Sequence, residues 1–243
     1  MNAILALDTV TAGYGPVTVL DGLSLALNPG EILAVLGANG SGKSTVLKTA
    51  MGLTRVSAGT IALAGEPFTR LPAHERAALG LGYVPQVRNV FADMSVADNL
   101  RMGAYLRPKE LERGSEKVFA LFPRLKERRR ELAGNLSGGE RRMLSIGMAL
   151  LLDPKVLLLD EPSSDLAPAT VDLVFAAILD IHARLAIPIL LVEQNVTKAL
   201  SIAHRVCVLV RGREALDAPA SAIDTSHLHA LFLDGGVRTS GGA

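Results

Sequence analysis

One glycine-rich loop, Gly37-Ala38-Asn39-Gly40-Ser41-Gly42-Lys43-Ser44-Thr45, constrains this chain more than any other stretch. It carries a Gly, four free positions and then Gly-Lys-Ser, the pattern of a phosphate-binding loop. Its flanks give the pattern weight. Ile32 to Leu36 is a short apolar run of the buried-strand type. Val46, Leu47, Ala50 and Met51 follow at helical spacing, and Gly52 falls where a helix C-cap is expected. A loop between a buried strand and a helix converges its backbone N–H groups on one point, where the helix N-terminus also favours negative charge. Gly37, Asn39, Gly40, Ser41, Gly42 and Thr45 are therefore the candidate cradle for the phosphates of a nucleotide. Lys43 would reach the terminal phosphates, and the Ser44 hydroxyl would ligate Mg2+.

With 243 residues the chain suits one large α/β domain or two small ones. Its net charge of +1 argues against a nucleic-acid footprint over the surface. Mean hydropathy is high, +0.33, yet no apolar run approaches the roughly 18 residues of a membrane span. The longest, Met143 to Leu152 and Ile187 to Val192, fall short of it. The excess reads as a parallel sheet buried on both faces, plus surface that docks a partner. Met1 to Val10 lacks the basic start of a signal peptide. Cys207, within Val206 to Val210, reads as a buried strand residue in a reducing compartment.

Residues 3 to 36 read as short apolar strands with turns at Gly13-Tyr14-Gly15-Pro16 and Asn28-Pro29-Gly30, a small antiparallel sheet leading into the loop strand. Tyr14, flanked by glycines, either stacks its exposed ring on a base or packs half-buried on the sheet. Residues 53 to 84 read as more strand and turn. Gln86 follows the strand ending at Val84, a place that faces the ligand crevice in an open α/β sheet; position alone fits a solvated loop Gln as well. From Met94 the pattern turns helical. Ser95 and Asp98 form a capping box for a helix through Asn99, Leu100, Met102 and Tyr105, closed by Pro108. Ser115 to Phe122 is amphipathic and stops at Pro123, and Lys126 to Glu131 reads as a solvated helical face. The block from about 88 to 152 is thus a helical subdomain inserted between strand-rich regions. After residue 211 a turn, a helix near Ala220 to Leu233 and a frayed Gly-rich tail are expected.

Leu136-Ser137-Gly138-Gly139-Glu140 contains a second capping box, Ser137 with Glu140, on a helix running to Leu152. A capping box needs no glycines, so the bare amides of Gly138 and Gly139 offer a second anion site. Val156 to Asp160 is a buried strand ending in two carboxylates, Asp160 and Glu161. Strand alternation sends them to opposite faces and hence to different tasks. One holds Mg2+ through water, and the other polarises an attacking water. Ile189 to Val192 is a further buried strand, closing with Glu193-Gln194-Asn195.

Together these pieces resemble the ATP-binding cassette ATPases. The ordered set is Tyr14, GANGSGKST at 37–45, Gln86, LSGGE at 136–140, VLLLDEP at 156–162 and a polar residue at 194. The resemblance implies one cassette over 1–243. Its fold would be α/β, a phosphate-loop (RecA-like) NTPase core with an N-terminal antiparallel β subdomain and an inserted α-helical subdomain. It implies ATP and Mg2+, with Tyr14 on adenine, Ser44 and Gln86 as metal ligands, and Asp160 holding the metal through water. Lys43 and Gln194 would act at the γ-phosphate and Glu161 as the base for water. Ser137, Gly138 and Gly139 would close on the ATP of a second, head-to-tail cassette. The segment after Gln86 and the helical block would dock a membrane permease at the cytoplasmic face of the membrane. A nearer likeness is to the ATPase subunits of branched-chain amino-acid importers, carried by Leu191 to Asn195, the Asp-Leu-Ala-Pro run at 165–168 and the short length. Urea and short-amide importers are built similarly, and in all of these a solute-binding protein feeds the permease. Two positions depart from the family. Most cassettes carry His where Gln194 stands, and the importer subunits usually read Leu-Gly at Ser164-Asp165. The Gln194 departure favours a heterodimer with a His-bearing partner.

Overall fold

The computed structural model describes residues 3–87 and 90–224. Leu5–Tyr14 (β1) and Val17–Leu27 (β2) pair antiparallel through the turn at Gly15-Pro16. They are 10 and 11 residues long, where short strands were expected. The register shifts between Leu7 and Val10, and Thr9 sits there at φ 48°. Hydroxyls take up the amides freed by such irregularities. Ser24 Oγ accepts from the Thr9 N–H at 3.0 Å, and Thr11 Oγ1 accepts from the Gly22 N–H at 3.1 Å. A bulge breaks the two-residue alternation without ending the strand, so one long strand reads as two short ones. Ile32–Leu36 (β3) leaves this sheet, followed by Lys43–Ala50 (α1). Arg55–Leu63 (β4) and Glu66–Pro67 (β5) return to complete the order β2-β1-β4-β5. Gly59 is at φ 85°, and a Cβ there would stand 2.5 Å from the carbonyl oxygens of Asp8 and Thr9. Only glycine passes the bulge so closely.

Strand and turn were expected up to Val84, but Ala73–Leu79 is a helix (α2). It starts after Pro72 and is too short for a helical period to declare itself. Its buried Arg76 explains its place. The guanidinium donates to the Thr49 and Ala50 carbonyls at 2.8 and 2.9 Å, at the C-terminal end of α1. It also donates to the Leu71 and Thr69 carbonyls at 2.7 and 2.6 Å. Arg76→Ala strips these buried carbonyls of their donor and is expected to lower unfolding stability by about 3 kcal/mol. Urea denaturation measures it, and a loss under about 0.5 kcal/mol, that of a neutral surface change, would contradict this role.

Leu81–Val84 (β6) begins the second sheet, and the chain then enters the helical block. This comprises Val96–Gly103 (α3), Leu111–Leu121 (α4), Pro123–Glu127 (α5) and Gly138–Leu150 (α6). Ser95 caps α3, its hydroxyl accepting from the Asp98 N–H at 3.0 Å and donating to the Asp98 carboxylate at 2.6 Å. The helix stops at Gly103, short of Tyr105, where α3 and α6 approach closely. A Cβ on Gly103 would meet the Met148 carbonyl oxygen at 2.7 Å. Pro108 opens a short 3-10 turn instead of closing α3. The charge run is not one solvated helical face. After α5 ends at Glu127, Arg128 turns inward and donates to Glu140 at 2.7 Å, to Glu131 at 2.7 Å and to the Asn135 carbonyl at 3.2 Å.

Val156–Asp160 (β7), Pro168–Leu185 (α7), Ile189–Val192 (β8), Val196–Ile202 (α8), Arg205–Val210 (β9) and Arg213–Pro219 (β10) follow. The sheet order is β10-β9-β3-β8-β7-β6, with β9, β3, β8, β7 and β6 parallel and β10 antiparallel on the edge. Every residue of β3, β7 and β8 is buried, as a parallel sheet covered on both faces requires. Cys207 is buried in β9. The turn expected after residue 211 is there, at Arg211 and Gly212, and the strand β10 follows it. As an exposed edge strand with a register shift it lacks an apolar run. Of the helix expected near Ala220 to Leu233, Ala220–Ala222 is a 3-10 turn, and residues from 225 on lie outside the described residues, as does the tail. The whole is an α/β core with an antiparallel β sheet and a helical block. Among the described residues no helix is long and apolar enough to cross a membrane.

Candidate nucleotide site

The parallel order brings the C-terminal ends of β3, β6, β7 and β8 to one rim, where ligands of open α/β sheets gather. From β3 the loop turns through Gly40 at φ 78° and Gly42 at φ 103°. At Gly37 a Cβ would lie 2.5 Å from the Leu209 carbonyl oxygen, so the loop is held tightly onto β9. Gly42 caps α1 with no side-chain hydrogen bond, and α1 has no acid in its first turn. Its end amides are thereby left to an anion. Lys43 is 5% exposed and donates to the Gly37 and Ala38 carbonyls at 2.9 and 3.0 Å. Burial draws its ammonium below the usual lysine range, while the charges of Glu161, Asp160 and Glu193 pull it back up. Ser41 Oγ is buried with no partner, Thr45 is buried, Ser44 is half-buried, and Asn39 is exposed.

The carboxylates at the end of β7 part company for a different reason from strand alternation. The strand ends at Asp160, and Glu161 takes the left-handed conformation at φ 44°. This turn, and not the two-residue period, divides their surroundings. Asp160 is 2% exposed, and its Oδ2 accepts from the Tyr83 hydroxyl at 3.2 Å. Burial and the Asp160 charge push the Tyr83 phenol above its usual range, and Tyr14 adds to this. Asp160 Oδ1 is buried with no partner. An unsatisfied carboxylate oxygen beside the phosphate loop fits a hydrated divalent cation. Glu161 is gripped from both sides. Gln86 Nε2 donates to Oε2 at 2.7 Å, and Gln194 Nε2 donates to Oε1 at 2.9 Å.

The structure thus gathers 37–45, Gln86, Asp160, Glu161 and Gln194, while Tyr14 remains exposed at the end of β1. Ser137, Gly138 and Gly139 form no hydrogen bond to this cluster among the described residues. Ser137 completes a full capping box with Glu140, at 2.9 and 3.2 Å. The two glycines also serve packing. A Cβ on Gly138 would lie 2.9 Å from Leu166, and one on Gly139 would lie 2.4 Å from Thr170. Asp165, where the importer subunits usually carry Gly, stands at φ 60°. Glycine adopts that conformation freely, and Asp is among the few other residues that tolerate it. Neighbouring Ser164 Oγ is buried without a partner.

Two residues escaped the sequence reading. Glu193, 2% exposed, accepts from the Ser163 N–H at 3.0 Å and from the Gln194 and Asn195 N–H groups at 3.1 and 3.2 Å. Burial pushes its carboxyl above the usual range against those bonds. Its signal was an acid at a strand end, as at Asp160. Arg142, buried on α6, donates to the Pro85 and Gln86 carbonyls, both at 3.1 Å. It was lost within the run Glu140-Arg141-Arg142, which carries no spacing of its own.

The sequence profile described as ABC transporter matches residues 20–164. The high-affinity branched-chain amino acid transport ATP-binding protein BraG of Pseudomonas aeruginosa is 40% identical over 224 residues, covering 92% of this chain and 96% of that protein. The Nod factor export ATP-binding protein I of Paraburkholderia xenovorans is 36% identical, covering 93% and 74%. The solved structure of cbiO1 from Clostridium perfringens, part of the ABC transporter complex cbiONQ, superposes with TM-score 0.82 at 22% identity, covering 96% of each chain. The loop, the paired carboxylates and these likenesses agree: the chain belongs to the ABC transporter family and is one of its ATP-binding, ATP-hydrolysing cassettes.

Proposed function

We propose that this chain, as a single cassette over 1–243 with 88–152 as its helical subdomain, powers a membrane importer of branched-chain amino acids. The observation that carries the catalytic part is Glu161 held between Gln86 and Gln194 beside Lys43. Each carboxylate oxygen keeps a second lone pair, so Glu161 is oriented by two neutral donors while still free to accept a proton from water. The amides of Gly40 to Thr45 and Lys43 bind the phosphates, Tyr14 takes the adenine, and Gly37 and Asn39 shape the loop. Ser44, Gln86 and Asp160 would hold Mg2+, which would draw charge from the phosphates. Ser137, Gly138 and Gly139 complete the ATP site of a partner cassette. The transported class rests on the likeness to BraG. A urea or short-amide importer is the alternative, and reconstitution with the permease and solute-binding protein distinguishes them. Leucine-driven ATP turnover is expected, and turnover driven by urea alone would overturn the assignment.

The permease surface is supported by an apolar cavity of about 670 Å3 between the segment around Gln86 and the helical block. Its lining includes Pro85, Phe91, Met102, Tyr105 and Met148, of which Phe91, Met102 and Tyr105 are exposed. Docking there would hold the chain peripherally at the cytoplasmic face of the membrane.

Gln194 makes the two ATP sites of the dimer unequal. A carboxamide donates to a phosphate but never ionises, whereas an imidazole does both. Charge-assisted bonds are about twice as strong, so the site with Gln194 is the slower one and favours a His-bearing partner. In the assembled transporter, Gln194→Ala is expected to lower ATPase activity by about threefold, with near-complete loss for His→Ala in the partner. Equal losses, or brisk turnover by this chain as a homodimer, would contradict the asymmetry.

A further inference from the structure

Glu193 closes a ring that the site otherwise leaves open. Its Oε1 accepts from the Ser163 N–H on the segment after Glu161, and its Oε2 accepts from the Gln194 and Asn195 N–H groups. The same two loops meet again on the other side, where the Gln194 side chain donates to Glu161 Oε1. Glu161 to Ser163 to Glu193 to Gln194 and back is therefore a closed circuit of covalent and hydrogen-bonded links. The circuit is fixed to the sheet, since the Glu193 N–H donates to the Val35 carbonyl at 3.3 Å and the Glu161 N–H to the Val192 carbonyl at 2.9 Å.

We propose that Glu193 is a positioning residue for ATP hydrolysis, its buried carboxylate locking the Glu161 loop and the Gln194 loop into one body. The proposal rests on the reading of Glu161 and Gln194 given above. Three N–H donors converge on Glu193, and only an ionised carboxylate offers an acceptor on both sides with no donor of its own. A carboxamide of the same shape keeps one oxygen, so it can serve one loop but turns its NH2 against the N–H of the other. The cations that face Glu193 are Lys43, which belongs to the phosphate loop, and Arg142, which holds the carbonyls of Pro85 and Gln86. The carboxylate thus stands among the elements that carry Lys43, Gln86, Glu161 and Gln194. A merely structural acid, capping loose amides, would have no reason to join the two loops that bear the reacting groups.

Glu193→Gln in the assembled transporter tests this. Turnover is expected to fall by about threefold, as for Gln194→Ala, which opens the same circuit, with ATP affinity held within about twofold. The double variant with Gln194→Ala should be no slower than the slower single variant, since both break one circuit. Unchanged turnover with a lowered melting temperature, or losses that simply multiply, would overturn the proposal. The unmodified chain gives a reading independent of whether the variant folds. In hydrogen exchange, the Ser163, Gln194 and Asn195 amides are expected to open together as one unit, and independent exchange would overturn it. Failure of the underlying reading looks different. Glu161→Gln would then leave turnover intact, and the role of Glu193 falls with it.

Discussion

Glu161→Gln is expected to bind MgATP normally, lose turnover at this chain's own ATP site by about a thousandfold, and accumulate as a closed dimer. The polarising carboxylate matters only when water attacks, so its loss spares binding. The geometry adds a second effect. Glu161 accepts from Gln86 on one oxygen and from Gln194 on the other. A glutamine there keeps one acceptor and presents its own NH2 to the other carboxamide, so one side of the grip opens. Phosphate release measures the loss of turnover, and light scattering in the presence of MgATP reports the dimer. Near-normal turnover would remove Glu161 from the mechanism.

Lys43→Ala is expected to weaken ATP by about a hundredfold and adenosine by less than about twofold, because the lost contact is to phosphate and not to the base. The ammonium now rests on the Gly37 and Ala38 carbonyls and is faced by Glu161, Asp160 and Glu193. Binding exchanges two neutral acceptors for charged ones. Removing the lysine also takes away a cation that faces Glu161, Asp160 and Glu193, and the added repulsion of these carboxylates falls on ATP alone. Calorimetric titration of both ligands against the variant decides it. An equal loss for ATP and adenosine would mean that the loop does not cradle phosphates.

The parts of this site legible in the sequence are those built from local rules. The loop at 37–45 needed only its spacing and its flanking strand and helix. The Ser137–Glu140 capping box is a three-residue contact and forms as read, and β3, β7 and β8 are unbroken apolar runs. What escaped depends on partners distant in the chain. Arg76 reaches α1 across 26 and 27 positions, so α2 has a purpose that its seven residues do not show. The bulge at Thr9 hides the length of β1, because its unpaired amide is satisfied by Ser24 and not by a pattern. Arg128 looked like one more solvated charge until Glu140 turned out to face it. Asp160 and Glu161 do lie in different surroundings, but a left-handed backbone at Glu161 divides them, and a two-residue period cannot show that. Glu193 is the plainest case. Its three partners are backbone amides, which carry no residue signature, and one of them lies 30 positions away.

A crystal structure of Glu161→Gln with MgATP tests the central claim most directly, that one rim formed by the ends of β3, β6, β7 and β8 both binds and hydrolyses the nucleotide. The expected result is a triphosphate on the amides of Gly40 to Thr45, with Lys43 Nζ moved from the Gly37 and Ala38 carbonyls onto phosphate oxygen. Asp160 Oδ1, now buried without a partner, should be engaged through water at the metal, and residue 161 should face the γ-phosphate. A triphosphate bound elsewhere, or Lys43 still resting on its two carbonyls with nucleotide present, would contradict the claim.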